Sequence, residues 1–231
     1  PEFEIHLIRR SQGIFYIGDH IGQFEAGHLT MVGSNLPHNW ITLPASDDHI
    51  ERRDIVVQFS PDTFLKLGDF LPELIDLRRL FQRASVGIEF TGETAIRGAT
   101  LLESMERKNG MERFSLMIAL LSLLCDSDDC VELATSQFAS RFRTGNSHQL
   151  RLVETALNFV QENFLSSPKL SDVAGLLGMS ESSFSRFFKM QTGNSYTDHL
   201  TMLRIWMAKQ LLRKSGLSVT DVCYEAGFSN I

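Results

Sequence analysis

The chain has 231 residues, of which 43% are hydrophobic and 22% are charged, and its formal net charge is −6. This composition excludes wholesale disorder and a fibrous class, and the length allows two domains. The longest apolar stretch, Leu116–Cys125, is much shorter than the roughly 20 residues that cross a bilayer. The acidic total by itself argues against a nucleic-acid partner.

The first sixty residues predict β-structure. Short apolar runs at FEIHLI, IFYI, HLTMV and IVVQF are separated by turn signals such as Ser11-Gln12-Gly13 and Gly18-Asp19-His20. Strands of this length and spacing are typical of a small barrel or sandwich.

The pattern becomes helical at Ser60-Pro61, a dipeptide that favours a helix start. Four helices are predicted, at roughly Pro61–Phe70, Glu73–Arg83, Glu93–Lys108 and Met111–Cys125. The last is apolar on nearly every face and must therefore be buried on more than one side. It is either the central core helix of this half or a helix with one flank in a homodimer interface.

Residues 135–147 are polar and rich in small side chains, which predicts a linker between a domain at 1–134 and a domain at 148–231. The three cysteines, Cys125, Cys130 and Cys223, are odd in number and form no CxxC pair. We expect reduced thiols in a cytoplasmic protein rather than a disulfide or a metal site.

The second domain contains the local signals of a helix-turn-helix. Ser171 is suited to cap a short helix, Gly178 to end it in a left-handed conformation, and Ser180 to cap the next helix. Such a turn holds two helices at a steep angle, so that the second can enter the DNA major groove.

The second of these helices has two unlike faces. Phe184, Phe187, Phe188 and Gln191 share the packing face; the opposite face carries Ser182, Ser185, Arg186 and Lys189. An arginine can bind guanine through two hydrogen bonds, serines can reach base edges or phosphate, and a lysine suits phosphate. The alternative is that this row is the solvated face of an ordinary helical domain.

A sequence repeat favours the DNA-binding interpretation. DVCYEAGFS, from Asp221, matches DVAGLLGMS, from Asp172, with a displacement of 49 positions, and the long predicted helix Tyr196–Leu212 lies between the two units. Residues 182–214 carry six basic side chains and one acidic one, a net charge of +5. A cluster of this kind can meet phosphates although the chain as a whole is acidic.

The segment FSRFFKMQTGNSYTDHLTMLRIWMAKQLLRKSGLSVTDVCYEAGFSN resembles the DNA-binding domain of AraC-type transcriptional regulators, through residues that include Gly178, Lys189, Arg204 and Gly227. The resemblance covers Leu150 to the end and implies base contacts from Ser182, Ser185 and Arg186, with Lys189 a candidate for phosphate. The family pattern continues past Ile231, so we expect a fragment of a longer protein.

The family usually places a cupin-like β-barrel before the DNA-binding domain, and residues 4–40 are similar to that sensor. The resemblance therefore implies an α+β chain: a cupin-like barrel with a helical extension, then an all-α tandem helix-turn-helix domain. By analogy with sugar-sensing members, Arg10, His38 and Trp40 are the candidate ligand-binding residues. His38 could instead cap a loop, Trp40 could pack at the rim, and Arg10 could pair with Glu4 or Asp54.

These features predict a ligand-responsive, DNA-binding transcription regulator that is a homodimer and requires no cofactor. Its effector is expected to be a small molecule, with a sugar as the candidate. The alternative is a metal-dependent cupin enzyme, an isomerase or dioxygenase. His6 and His38 alone make a poor metal site, because catalytic ions usually take three protein ligands. A third possibility is a chain that only senses and dimerises.

Overall fold

A computed structural model describes residues 2–42, 50–140, 147–214 and 216–229. Within these ranges, the N-terminal domain (residues 2–140) contains eight described strands: Phe3–Ile8 (β1), Gly13–Ile17 (β2), His20–Phe24 (β3), Leu29–Val32 (β4), His38–Thr42 (β5), Asp54–Phe59 (β6), Ile88–Phe90 (β7) and Cys130–Glu132 (β8). Its helices are Pro61–Leu67 (α1), Leu77–Ala84 (α2), Gly92–Glu106 (α3), Gly110–Cys125 (α4) and Ser136–Ala139 (α5). The C-terminal domain (residues 147–229) contains Ser147–Asn163 (α6), Leu170–Leu176 (α7), Glu181–Thr192 (α8), Tyr196–Lys214 (α9) and Val219–Glu225 (α10).

The strands form two antiparallel sheets. One has the order β6-β1-β4-β7-β8, and the other has the order β3-β2-β5. The inner faces enclose a core that contains Phe15, Phe24 and Trp40. The predicted barrel thus takes the form of two facing sheets, and the predicted α+β class is confirmed.

Side chains alternate between the two faces of a strand, and this alternation shows what the outer face of each sheet packs against. In β1, Phe3, Ile5 and Leu7 point away from the inner core and pack against α1–α4. In β2, Ile14 and Tyr16 point to the other side and join the core of the C-terminal domain, as does Ile41 of β5. The molecule is therefore layered as helices, sheet, sheet and helices, and the outer face of the three-stranded sheet is covered by the C-terminal domain.

Several predicted boundaries were wrong. Helix α1 ends at Leu67, and a 3-10 turn at Pro72–Leu74 precedes α2, which begins at Leu77. The sequence pattern missed β7 and β8, because strands of three residues carry little periodicity and are held by pairing with distant strands. The predicted linker begins too early, since Phe138 and Ala139 of α5 are buried in the inner core. The rest of that linker, residues 141–146, lies outside the described residues.

Candidate nucleic-acid interface

Helices α7 and α8 form the first helix-turn-helix through local hydrogen bonds. Gly178 takes the left-handed conformation (φ +65°) that ends α7. Ser180 then caps α8, because its side chain accepts a hydrogen bond from the amide of Ser183. The predicted cap at Ser171 was wrong: the cap position is Lys169, two residues earlier, and the carboxylate of Asp172 accepts a hydrogen bond from the amide of Lys169 at 3.0 Å.

Helix α8 has one buried and one exposed face. Phe184 and Phe188 are fully buried, and Gln191 is 4% exposed. The rings of Phe184 and Phe188 each pack edge-on against Tyr196 of α9. On the opposite face, the structure exposes all four side chains of the predicted DNA-binding row: Ser182, Ser185, Arg186 and Lys189.

The repeated unit has the same local structure in both copies. Asp172 and Asp221 each occupy the third position of a helix, α7 and α10, and each bonds to its helix start. Asp221 accepts a hydrogen bond from the hydroxyl of Ser218 at 2.6 Å. The glycines that follow, Gly178 and Gly227, both have positive φ. The displacement of 49 positions in the sequence is therefore a structural repeat.

Helix α9 joins the two units. Tyr196, Leu200, Leu203 and Met207 of the predicted apolar stripe are buried along it. Arg204 donates hydrogen bonds to the carbonyl of Phe164 at 2.9 Å and to the hydroxyl of Ser167 at 3.0 Å. A Cβ on Gly227 would lie 3.1 Å from Nε of Arg204, so this arginine also lies against the turn of the second unit. The sequence indicated Arg204 through its agreement with the family pattern but gave it no structural role.

A protein-family model described as a helix-turn-helix domain matches residues 173–231, which include both repeated units. Curated relatives that align with this chain are named as HTH-type transcriptional regulators. Residues 173–231 therefore form a helix-turn-helix domain similar to those of transcriptional regulators. The resemblance noted in the sequence is thereby confirmed.

Three of these relatives match the chain over different lengths. An uncharacterized HTH-type transcriptional regulator of Pseudoalteromonas carrageenovora is 28% identical over 105 residues, which are 44% of this chain and 62% of the relative. ExsA of Pseudomonas aeruginosa is 36% identical over 80 residues, 35% of this chain and 29% of ExsA. The activator RhaS of Escherichia coli is 35% identical over 74 residues, 32% of this chain and 27% of RhaS. The matches thus span less than two thirds of each relative.

Solved structures with a loose overall similarity include two transcription regulators. ToxT of Vibrio cholerae is 13% identical, with a TM-score of 0.34 over 99% of this chain and 81% of ToxT. The AraC-like transcriptional activator CuxR is 12% identical, with a TM-score of 0.34 over 97% of this chain and 72% of CuxR.

Outside the helix-turn-helix domain, the three predicted ligand-binding residues lie in different environments. Trp40 is 4% exposed inside the N-terminal domain, where its indole Nε1 donates to Nδ1 of His28 at 3.2 Å. Arg10 is exposed just after β1, and the two carboxylates considered as its partners bond elsewhere: Glu4 to His38 and Asp54 to His6 and Arg53. Glu4 and Arg10 are six residues apart along an extended segment, about 20 Å. The structure therefore does not bring Arg10 and His38 together.

His38 lines a cavity of about 290 Å³ between the domains. Its Nδ1 lies 2.7 Å from the carbonyl of Leu36 and its Nε2 lies 3.1 Å from the carboxylate of Glu4, so each ring nitrogen has an oxygen within hydrogen-bond distance. The hydrogen bond from His38 lowers the pKa of Glu4 to about 2. Glu154 of α6 lines the same cavity from the C-terminal domain. The sequence pattern missed Glu4 and Glu154. Glu4 reaches His38 through the packing of the two sheets, and Glu154 reaches the same cavity only through the packing of the domains.

The other histidines of the inner core are also paired with carboxylates. His6 Nε2 lies 3.0 Å from Asp54, and His28 Nε2 lies 3.4 Å from Glu89. Burial lowers the pKa of His6, although its hydrogen bond to Asp54 acts in the opposite direction. Within the described ranges, no group of three or more His, Cys, Asp or Glu side chains is arranged to hold a metal ion. No described helix is long and apolar enough to cross a membrane.

Proposed function

We propose that this protein is a sequence-specific DNA-binding transcription regulator whose activity responds to a small molecule. The observation that carries the proposal is the exposed polar row on α8, presented by a helix-turn-helix that recurs 49 residues later. Such a helix reads base edges from its outward face while the preceding helix braces it. The second copy supplies its first helix, α10, and the turn at Gly227, so among the described residues α8 is the helix that presents the polar row. The chemistry of such a row is recognition rather than catalysis.

Each side chain of the row has its own role in this proposal. Arg186 binds a guanine through O6 and N7, and Ser182 and Ser185 contact base edges or phosphate near the start of the helix. Lys189, one turn after Arg186, neutralises a phosphate. The six basic residues among positions 182–214, against the single acid Asp198, supply the favourable field.

Substitution of Arg186 and Lys189 tests these roles. Arg186→Ala should cost about 1–3 kcal/mol, roughly 5- to 150-fold in affinity, on a duplex selected from a random pool by the wild-type chain. The loss should be smaller on unselected duplexes. Lys189→Ala should weaken binding to all duplexes alike and reduce the salt slope by about one. Binding is measured by fluorescence anisotropy at several salt concentrations.

A matched control is Lys66→Ala, which removes an exposed lysine from α1 of the N-terminal domain. Its affinity for every duplex should equal that of the wild type. If the chain binds no duplex, or if Arg186→Ala leaves discrimination between duplexes unchanged, the assignment of α8 as a base-reading helix is wrong. Binding to DNA also decides against the possibility that this chain only senses and dimerises.

We propose further that the effector binds at the cavity beside His38. Carboxylate, amide and imidazole groups from Glu4, Asn35 and His38 line it, and such groups can hydrogen-bond the hydroxyls of a polyol such as a sugar. Glu154 belongs to the other domain, so a ligand here touches both and can shift their arrangement by its differential affinity. Arg10 lies at a distance from this cavity and Trp40 lies in the inner core, so both residues act on ligand binding only indirectly.

A thermal-shift screen of sugars and acids tests this site. A ligand should raise the Tm of the wild type and leave that of His38→Ala unchanged at equal concentration. The control is His20→Ala, a half-buried histidine outside this cavity, which should keep the response. A ligand that stabilises the His38→Ala chain as much as the wild type would place the effector site elsewhere.

We propose that the active form is a homodimer assembled through α3 and α4. Ile96 of α3 is 65% exposed, and Met111 and Phe114 of α4 are 77% and 45% exposed. Exposed apolar side chains on adjacent packed helices favour self-association. Phe114→Lys should convert the dimer to a monomer in sedimentation velocity; Val56→Lys, at a 43% exposed valine on β6, is the control that should remain dimeric.

We propose that the protein activates transcription in the cytoplasm and is not an enzyme, a proposal supported by the relative RhaS, which is named as a transcriptional activator. The alternative is a metal-dependent cupin enzyme. Metal analysis of the purified protein separates the two. Stoichiometric iron or zinc, bound through the inner-core histidines, would favour the enzyme, whereas DNA binding by metal-free protein favours the regulator.

A further inference from the structure

Another space in the N-terminal domain lies between α2, β8 and α5. It has a volume of about 490 Å³, and its walls are the second half of α2, the last residue of β8 and one side of α5. Among the described residues, it shares no lining residue with the cavity beside His38. A space of this size can hold a small molecule.

The side chains that line this space include several hydrogen-bond donors. Arg79 and Arg83 lie one turn apart on α2, and Gln82 lies between them in the sequence. Ser136 contributes a hydroxyl from α5. Guanidinium, amide and hydroxyl groups all donate to oxygen, so a group that presents several acceptor oxygens suits this lining.

Arg83 is held in place by two neighbours. Its Nε donates a hydrogen bond to Oε1 of Glu132 at 3.0 Å, and its Nη2 lies 2.9 Å from the sulfur of Cys130. Its Nη1 bonds to no group among the residues that the structure describes. One edge of the guanidinium is therefore fixed to β8, and the remaining donors are available to a ligand.

Arg79 carries a charge that no described carboxylate balances. Arg78 beside it pairs with Asp69 at 3.5 Å, and Arg83 pairs with Glu132, but the described residues offer no such partner to Arg79. Like charges four positions apart on a helix repel each other. The lining thus holds two positive charges against one negative charge, which favours an anion.

The walls of the space are formed without a ligand. Phe81 anchors α2 in the core beneath the five-stranded sheet, and Phe138 anchors α5 in the inner core. The amide of Ala134 donates a hydrogen bond to the carbonyl of Val86 at 2.8 Å, which joins the end of α2 to the start of α5. A ligand that enters a preformed site of this kind loses little free energy to ordering the protein.

We infer that this space binds a small phosphate monoester, whose phosphate accepts hydrogen bonds from Arg79, Arg83 and Ser136. A phosphate monoester carries a charge of about −1.5 to −2 at neutral pH and three acceptor oxygens, so it can engage both guanidinium groups at once. A carboxylate has one charge and two oxygens, which a single guanidinium already satisfies.

Glu132 indicates what the rest of the ligand carries. Its Oε1 accepts from Arg83, whereas its Oε2 has no partner among the described residues. This oxygen can accept a hydrogen bond from a hydroxyl group. The ligand class is therefore a hydroxylated phosphate monoester. The inference goes beyond the proposed DNA-binding function and does not depend on it.

Titration calorimetry at constant ionic strength tests the site, with glycerol 3-phosphate, inorganic phosphate, glycerate and glycerol as probes. The wild type should bind one glycerol 3-phosphate per chain with a Kd below about 1 mM. Inorganic phosphate should bind more weakly, because it lacks the carbon-bound hydroxyls. Glycerate should bind at least about tenfold more weakly than glycerol 3-phosphate, and glycerol should not bind measurably.

Arg79→Gln should weaken the binding of both phosphate probes at least about tenfold. The matched control is Arg78→Gln, which removes the neighbouring exposed arginine outside the space and should keep the wild-type Kd. Both variants should keep the Tm of the wild type within about 2 °C, since both side chains are exposed. Glu132→Gln should strengthen the binding of inorganic phosphate, because it removes the opposing charge and keeps an acceptor for Arg83.

Three results would overturn the inference. The first is that neither phosphate probe binds the wild type at about 10 mM, and the second is that Arg79→Gln binds both probes as tightly as the wild type. The third is that glycerate binds as tightly as glycerol 3-phosphate, which would assign the space to carboxylates. If Arg79→Gln instead weakens only the binding of duplex DNA, Arg79 contacts the DNA backbone and the inference is also wrong. The proposed function is decided separately, by the duplex assays of Arg186→Ala and Lys189→Ala.

Discussion

The packing of the three-stranded sheet against the C-terminal domain makes a direct prediction for Ile41. This side chain is 1% exposed and lies in the core of the C-terminal domain although it belongs to β5. Replacing a fully buried isoleucine with alanine costs about 2–5 kcal/mol, from lost apolar burial and the cavity left behind. In a chain of this length each kcal/mol lowers Tm by roughly 2–4 °C, so Ile41→Ala should lower it by about 4–20 °C.

The matched control is Ile205→Ala on α9, where the side chain is 44% exposed. An exposed substitution of this kind changes stability by about 0.5 kcal/mol or less. Both variants are compared by differential scanning calorimetry and by urea unfolding followed by tryptophan fluorescence. If the two domains were apart in solution, Ile41 would face water, and the two substitutions would have equal effects. That result would refute the layered arrangement.

Four further substitutions test individual residues. Burial lowers the pKa of His199 from 6.5 to about 4. As the pH falls, the unfolded chain therefore takes up a proton at this histidine before the folded chain does. The free energy of unfolding should decline by about 3 kcal/mol between pH 6.5 and pH 4. His199→Phe should remove this decline in urea titrations, and an unchanged pH slope would contradict it. The hydrogen bond from His38 is the main cause that holds the pKa of Glu4 at about 2. The contribution of Glu4 to the free energy of unfolding is therefore present above pH 4.5 and lost as the pH falls toward 2. Glu4→Gln should flatten that part of the acid-unfolding curve. Gly175→Ala, inside α7 with open space around it, should stabilise the chain by about 0.5–1 kcal/mol, whereas Gly178→Ala, at φ +65°, should destabilise it by about 1–2 kcal/mol. Equal effects at the two glycines would show that α7 does not end at this turn.

The helix-turn-helix was predictable because its determinants are local. A serine cap, a glycine of positive φ and apolar residues at helical spacing lie within twenty residues of one another, and the structure places Ser180, Gly178 and Phe184 as predicted. The capping error at Ser171 is of the same local kind, since the neighbouring Asp172 provides the competing cap. An error of this size moves the helix start by two residues and leaves the faces of the helix unchanged.

The strand IFYI shows what the sequence could indicate but not resolve. Every residue of β2 is buried, and an uninterrupted apolar run signals that both faces of a strand are covered. The run does not say what covers them. Phe15 and Ile17 face the other sheet, while Ile14 and Tyr16 face a domain more than a hundred residues later in the chain.

The sequence by itself therefore determined the class of the chain, the helix-turn-helix and its outward row, because caps, glycine conformations and helical periodicity act between near neighbours. Only the tertiary structure decided that His38 and Glu154 line the same cavity, that Arg10 lies away from both, and that Asp19 lies against the end of α8. Those contacts join residues about 115–175 positions apart, and they depend on how two complete domains bury their remaining apolar faces against each other. No local pattern encodes that choice.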